Sequence, residues 1–250
     1  MIIFLERVQL IRMDIPDMQH QVMGYDRSAT MFSPDGHILQ VEYAEKTVRL
    51  GSASIGFVCS DGVVILADKG IKDELIVPES IDKIYEIDSH IISSAAGILS
   101  DARILIDQAR LIAQQHRVTY DASIDVESIT REISNIKQQY TQHPGVRPFG
   151  VALMIAGRNP ESSKLYVSDI TGNYFEFHAA TIGENDEKIK EILRKEYKKD
   201  IKISDAIKLG LRIFKDVLGN KFDIKRFNVS YVDKENKLKK LKQEEIEKHK

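Results

Sequence analysis

The chain has 250 residues, 42% hydrophobic and 30% charged, a globular composition with enough length to bury a sizeable core without staples. Its 36 basic and 38 acidic side chains give a formal net charge of −2, which argues against a nucleic-acid partner, since binding phosphates needs a basic excess. A single cysteine, Cys59, excludes an intrachain disulfide framework, and no apolar run is long enough for a bilayer span or a signal-peptide core, so a cytoplasmic location with no membrane is expected.

After an irregular start, Ile38 to Leu50 reads as a helix. Leu39, Tyr43, the Lys46 stem and Leu50 recur at three- and four-residue steps, and Gly51 closes it. Strand-like runs follow at Ser54 to Cys59 and Val63 to Ala67, with Ser60-Asp61-Gly62 as a hairpin turn. Cys59 ends the apolar run Ile55-Gly56-Phe57-Val58-Cys59 and is expected as a small buried hydrophobe rather than a nucleophile. A second strand pair is predicted at Lys83 to Ile87 and His90 to Ala95, turning at Asp88-Ser89.

The period then changes to that of a helix. Ser100 to His116 carries Ile104, Leu105, Leu111 and Ile112, and Asp125 to Tyr140 carries a cleaner stripe of Val126, Ile129, Ile133, Ile136 and Tyr140. Gly145 and Pro148 break the pattern. Strands are predicted again at Gly150 to Ala156, Leu165 to Ser168 and Tyr174 to His178. Helices follow at Glu184 to Tyr197 and at Ser204 to Gly219, the latter capped by Ser204 and Asp205 and striped by Ile207, Leu211, Phe214 and Leu218. A last strand, Arg226 to Val232, leads into a Lys/Glu-rich tail predicted as a solvated helix, although Leu238, Leu241 and Ile246 fall within it.

Segregated blocks of strands and helices imply packed layers, two sheets between two helical layers, and no linker divides the chain. The seven histidines show no metal-ligand spacing, and neither a Gly-x-Ser-x-Gly elbow nor a phosphate loop occurs, so no metal and no cofactor are expected.

Three stretches stand at a family spacing: Gly24-Tyr25-Asp26-Arg27, Phe32-Ser33-Pro34-Asp35-Gly36-His37 and Gln40-Val41-Glu42-Tyr43-Ala44. Ser-Pro-Asp-Gly alone is an ordinary turn. Together the three resemble the amino-terminal signature of proteasome α subunits of archaeal type. The resemblance continues through Asp61 to Val64, Ala67 to Lys69, Glu79 to Ile84, Gly97 to Arg103 and Val146 to Gly150, so it covers Gly24 to about Val232. It implies the αββα sandwich of amino-terminal-nucleophile hydrolases over residues 24–250, preceded by an extension and gate segment over 1–23. Met1 to Arg12 has no counterpart in the family pattern, and Met13 or Met18 is the expected natural start.

The resemblance also implies roles. Tyr25, Asp26, Pro34 and Tyr43 match the family's gate-stabilising cluster at the ring pore; two phenols can pack and hydrogen-bond, and Pro34 stiffens a reverse turn. Lys83 matches a lysine in pockets between adjacent α subunits that pairs with the terminal carboxylate of a docking activator ATPase, with Gly51, Gly97 and Ile98 forming the rest of the pocket. A solvent-facing strand lysine is the plainer alternative. The implied partners are other α subunits in a heptameric ring, β subunits, activator ATPase tails, and unfolded proteins in transit. Thr47 departs from the family, whose helix more often carries a small residue there.

Catalysis is expected to lie elsewhere. β subunits of that family cut with an amino-terminal threonine whose own amine is the base. The equivalent position falls at about Ser52, with Asp68 and Lys83 near the supporting positions. Uncleaved, Ser52 has an amide nitrogen, which is no base, and cleavage before it would discard the whole α signature. Two rival readings stay open: a processed hydrolase beginning at Ser52, and a self-assembling ring without activator pockets.

Overall fold

Every one of the seven residues of the strand Gly62–Asp68 is buried, which requires cover on both of its faces. The computed structural model supplies that cover. It describes residues 24–71, 73 and 75–249, without the side chains of Asp26 and Glu79. The expected extension over 1–23 lies outside the described residues.

Among the described residues, ten strands form two antiparallel five-stranded sheets. The first holds β1 (Ser54–Cys59), β2 (Gly62–Asp68), β8 (Ala179–Ile182), β9 (Phe227–Asp233) and β10 (Leu238–Lys240), in the order β10-β9-β2-β1-β8. The second runs in sequence order through β3 (Ile84–Asp88), β4 (Ile91–Gly97), β5 (Val151–Arg158), β6 (Ser163–Ser168) and β7 (Tyr174–Glu176). Successive side chains of a strand face opposite ways, and β2 shows the result. Val63, Ile65 and Ala67 join Ile92, Met154 and Leu165 in the core between the sheets, while Val64 and Leu66 join Phe57, Ile207 and Phe214 beneath the helices.

The helices that cover the first sheet are α4 (Asp186–Glu196) and α5 (Ile203–Leu218); α2 (Leu99–Tyr120) and α3 (Val126–Gln142) cover the second. This is the expected four-layer αββα sandwich. α1 (Leu39–Leu50) lies across the ends of β4 and β5, with Val48 against the core between the sheets. Cys59 is buried as expected, and burial together with nearby Asp61 pushes its thiol pKa up. Among the described residues no helix is long and apolar enough to cross a membrane.

Several details differ from the sequence expectation, each for a tertiary reason. In α2 the buried line is Ala102, Leu105, Ile106, Ala109 and Ala113, while Ile104 and Leu111 are each 50% exposed. Alanine lets the helix lie close on the sheet, so its larger residues turn outward. α5 starts one residue early, at Ile203, and neither Ser204 nor Asp205 caps it. The Asp61 carboxylate of the first hairpin turn accepts from the Ile203 amide at 2.8 Å instead. β8 follows the strand predicted at Tyr174 to His178 as a separate strand, which crosses to the other sheet.

The tail is not a solvated helix. After β9 it turns, pairs back as β10, and ends in the short helix α6 (Gln243–Glu247). Leu241 and Ile246 enter the core beneath α5, and burying them outweighs the charge pattern of their neighbours.

Candidate functional site

α1 ends at Gly51 without the left-handed turn that commonly closes a helix; Gly51 has φ −71° and ψ 143°. Glycine is needed there for another reason. A Cβ on Gly51 would stand 2.3 Å from the Gly97 amide nitrogen, and a Cβ on Gly97, at φ 116°, would stand 2.2 Å from the Gly150 carbonyl oxygen. Three backbones therefore touch at one corner: the end of α1, the end of β4 and the approach to β5. Ile98 donates its amide to the Gly150 oxygen at 2.9 Å, and the Thr47 hydroxyl of α1 shares its one proton between the Ala44 carbonyl, at 2.7 Å, and the same Gly150 oxygen, at 3.0 Å. The hydroxyl at the departing position 47 thus ties α1 to β5.

Immediately after this corner the chain enters the first sheet through Ser52. The Lys83 ammonium donates to the Ser52 carbonyl and hydroxyl oxygens, at 2.5 Å each. Lys83 is 2% exposed, which rules out the solvent-facing lysine. It sits on a chain of buried hydroxyls: Ser94 donates to the Lys83 carbonyl, Ser54 bonds Ser94 across the two sheets, and Thr181 donates to the Ser54 carbonyl. Burial lowers the Lys83 pKa to about 8, while the Asp68 and Glu184 carboxylates pull it upward. The ammonium form therefore predominates at neutral pH.

Of the expected pocket residues, Gly51, Gly97 and Ile98 meet at the corner, and Lys83 is joined to it through Ser52. Asp68 is turned to a different partner. Arg226 donates to both of its carboxylate oxygens at 2.7 Å. Sequence reasoning missed Arg226, Ser54 and Ser94; residues so far apart in the chain carry no local signal of contact.

The residues expected to form a gate cluster lie toward the other end of α1. Tyr25 opens a 3-10 turn, Tyr25–Arg27, that packs against α1, the helix carrying Tyr43. Tyr43 is half-buried, and the Lys46 ammonium lies 5.3 Å from its ring centroid. The Asp26 side chain lies outside the described set. Pro34 is exposed in the turn from Ser33 to Gly36, which closes by a Gly36 N–H to Ser33 carbonyl bond of 2.9 Å, with Gly36 at φ 82°. His37 at the end of that turn contacts the Glu42 carboxylate of α1. Residues 27–30 and Gln40 line a groove of about 400 Å³ whose other wall is the loop 144–147.

The chemistry of the Ser52 region is that of a locked constellation. The Ser52 nitrogen is bonded to Gly51, whose carbonyl accepts the Glu184 amide at 2.7 Å. Lys83 is a donor to Ser52 rather than a base for it, and Asp68 is neutralised by Arg226. Among the described residues no group of three or more metal-ligating side chains is assembled.

Residues 48–232 match the family described as "Proteasome subunit"; residues 25–46 match the N-terminal signature of proteasome subunits of the A type. The proteasome alpha subunit of Archaeoglobus fulgidus is 48% identical over 189 residues, 76% of each chain. That of Methanosarcina thermophila is 43% identical over 225 residues, 90% of this chain and 91% of that one. A third, of Methanocaldococcus jannaschii, is 42% identical over 228 residues, 90% of this chain and 86% of that one.

Proposed function

This chain belongs to the proteasome family as an α subunit of archaeal type, and on that premise we propose that it forms the outer ring of a core particle, gates the passage of unfolded proteins through the pore, and docks the carboxylate tails of activator ATPases. Peptide cleavage is left to partner β subunits, and the particle works in the cytoplasm.

The observation that carries this reading is the course of α1. Over the 12 residues Leu39–Leu50 it runs from the Ser33–Gly36 turn to the Gly51 corner. The proposed gate cluster and the proposed docking pocket are thus the two ends of one rigid element. An ammonium has three donors and Lys83 uses two of them on Ser52, so one remains for a tail carboxylate; at 2% exposure Lys83 meets that carboxylate only when the corner opens to admit the tail. Partner subunits would cover surface that is now apolar and open. Leu50 is 81% exposed, Phe32 63%, and Ile104, Leu111 and Val118 repeat at seven-residue steps along the outer face of α2.

The test is hydrolysis of a short peptide and of an unfolded protein, by the chain alone and after mixing with its β partner, with intact masses recorded. Activity that requires β, with an uncut chain, supports the reading. Activity from the chain alone, with a mass beginning at Ser52, would make it a hydrolase and overturn it. Rings in which Lys83→Ala leaves ATPase docking unchanged would favour the self-assembling ring.

A further inference from the structure

The loop between α3 and β5 is held by one carboxylate. Arg147 donates to both oxygens of Asp101, at 2.6 and 2.7 Å, and the Gly150 amide donates to the same carboxylate at 2.9 Å. Asp101 is 8% exposed in the first turn of α2, where the helix N-terminus also favours negative charge. Burial works against its ionised form, but the hydrogen bonds from Arg147 and Gly150 prevail and keep its pKa below the ordinary value. Gly150 thus faces two ways. Its N–H reaches Asp101, and its carbonyl accepts from Ile98 and Thr47 at the glycine corner.

On its other side Arg147 lines the groove shared with Arg27, Ser28, Ala29 and Thr30. A bidentate arginine–carboxylate pair is among the more rigid polar contacts available to a loop. Gly150 thus joins the corner to the carboxylate that holds Arg147, and Arg147 stands in the groove wall that faces residues 27–30.

We propose that Asp101 and Arg147 are positioning residues that carry occupancy of the Gly51–Gly97–Ile98 corner to residues 27–30, which directly follow Tyr25 and Asp26 of the proposed gate cluster. This rests on reading the corner as the docking pocket. The pair is a second route beside α1 itself, and it makes no contact with Lys83 or Ser52 among the hydrogen bonds and ion pairs described.

The two functions can be separated. Allosteric coupling is a free energy shared between sites, so a chain that docks the tail without moving the gate no longer expends binding energy on opening. Weakening the clamp should therefore leave tail affinity unchanged or tighter, and lower only the stimulation of hydrolysis. A merely structural defect at the corner would weaken docking.

The experiment uses the particle assembled with its β subunits, carrying Asp101→Asn or Arg147→Lys. Asparagine keeps an acceptor for the Gly150 amide, and lysine keeps the charge without the fork, so the two variants loosen the clamp from opposite sides; the thermal midpoint of each particle shows that it is folded. The probe is a synthetic peptide copying the tail of the cognate activator ATPase, with its amidated form as control. Binding is followed by fluorescence anisotropy, and opening by hydrolysis of a fluorogenic peptide. Stimulation by the free-carboxylate peptide should fall about fivefold or more, the lower end of ordinary allosteric couplings, at undiminished affinity. Full stimulation in both variants would overturn the inference while leaving the docking reading intact. Failure of the peptide to bind the unmutated particle would overturn the docking reading and this inference with it.

Discussion

The guanidinium of Arg226 holds both carboxylate oxygens of Asp68, donating from Nε and Nη2 at 2.7 Å each across 158 residues of chain. Asp68 is 1% exposed, so this pair is the main reason its charge is tolerated inside the sandwich. Arg226→Met should cost about 3–5 kcal/mol, because it strands a buried carboxylate. Urea denaturation at matched protein concentration measures this; a loss under about 1 kcal/mol, the range of an exposed pair, would show that Asp68 is solvated after all.

The glycine corner makes a steeper demand. Gly97→Ala combines a strained positive φ with a Cβ forced to 2.2 Å from the Gly150 oxygen, a backbone atom that cannot swing aside. Strain and overpacking of this kind each cost about 1–3 kcal/mol, and here they add. Gly36→Ala is the control, since its φ is also positive but nothing lies within 4 Å of the added carbon. The thermal midpoint of the Gly97 variant should drop well below that of the Gly36 variant. Equal midpoints would mean that the corner yields and is not rigid.

How far the sequence could be read depends on the distance over which each signal acts. The first hairpin, the start of α3 at Asp125 and the Ser33–Gly36 turn are written in adjacent residues, and they form where the local chemistry places them. The tail misled because Lys and Glu dominate its composition, whereas its fate was decided by Leu241 and Ile246 finding an uncovered strip of core. Lys83 was legible as a residue that matters and illegible as a buried one, since its partner Ser52 lies 31 residues away. The replacement of a side-chain cap on α5 by Asp61 had no local signal at all, with 142 residues between donor and acceptor.

Ser52 separates the two chemical readings of the site. Ser52→Ala removes one of the two acceptors of the Lys83 ammonium and leaves the carbonyl, so the cost should be that of one hydrogen bond, about 0.5–1.5 kcal/mol. Hydrolysis by the assembled particle should not change, because a nitrogen held in a peptide bond cannot serve as a base. Kinetics of the variant particle check this directly, and a drop in kcat of about 10²-fold or more would identify Ser52 as a nucleophile.

Lys137 gives a pH dependence with a definite sign. It is fully buried on the inner face of α3, where its ammonium donates to the Ser168 carbonyl at 3.0 Å and hydroxyl at 3.2 Å, and Ser134 bonds the same hydroxyl. Burial lowers its pKa from 10.5 to about 7, with the Asp169 carboxylate working the other way. Between those values the unfolded chain holds a proton that the folded chain has released, so stability rises with pH, by at most about 1.4 kcal/mol per unit. Below about 7 both states are protonated, the full burial cost remains, and the slope vanishes. Lys83 adds the same sign from about 8 upward. Lys137→Met removes the titration and keeps the volume, while the loss of the Ser168 contacts is the same at every pH. Between about pH 6.5 and about pH 9 the unmutated protein should therefore gain on the order of 2 kcal/mol relative to the variant. Urea titrations at the two pH values measure that difference of differences; a variant that tracks the unmutated protein across the interval would place the Lys137 proton outside it.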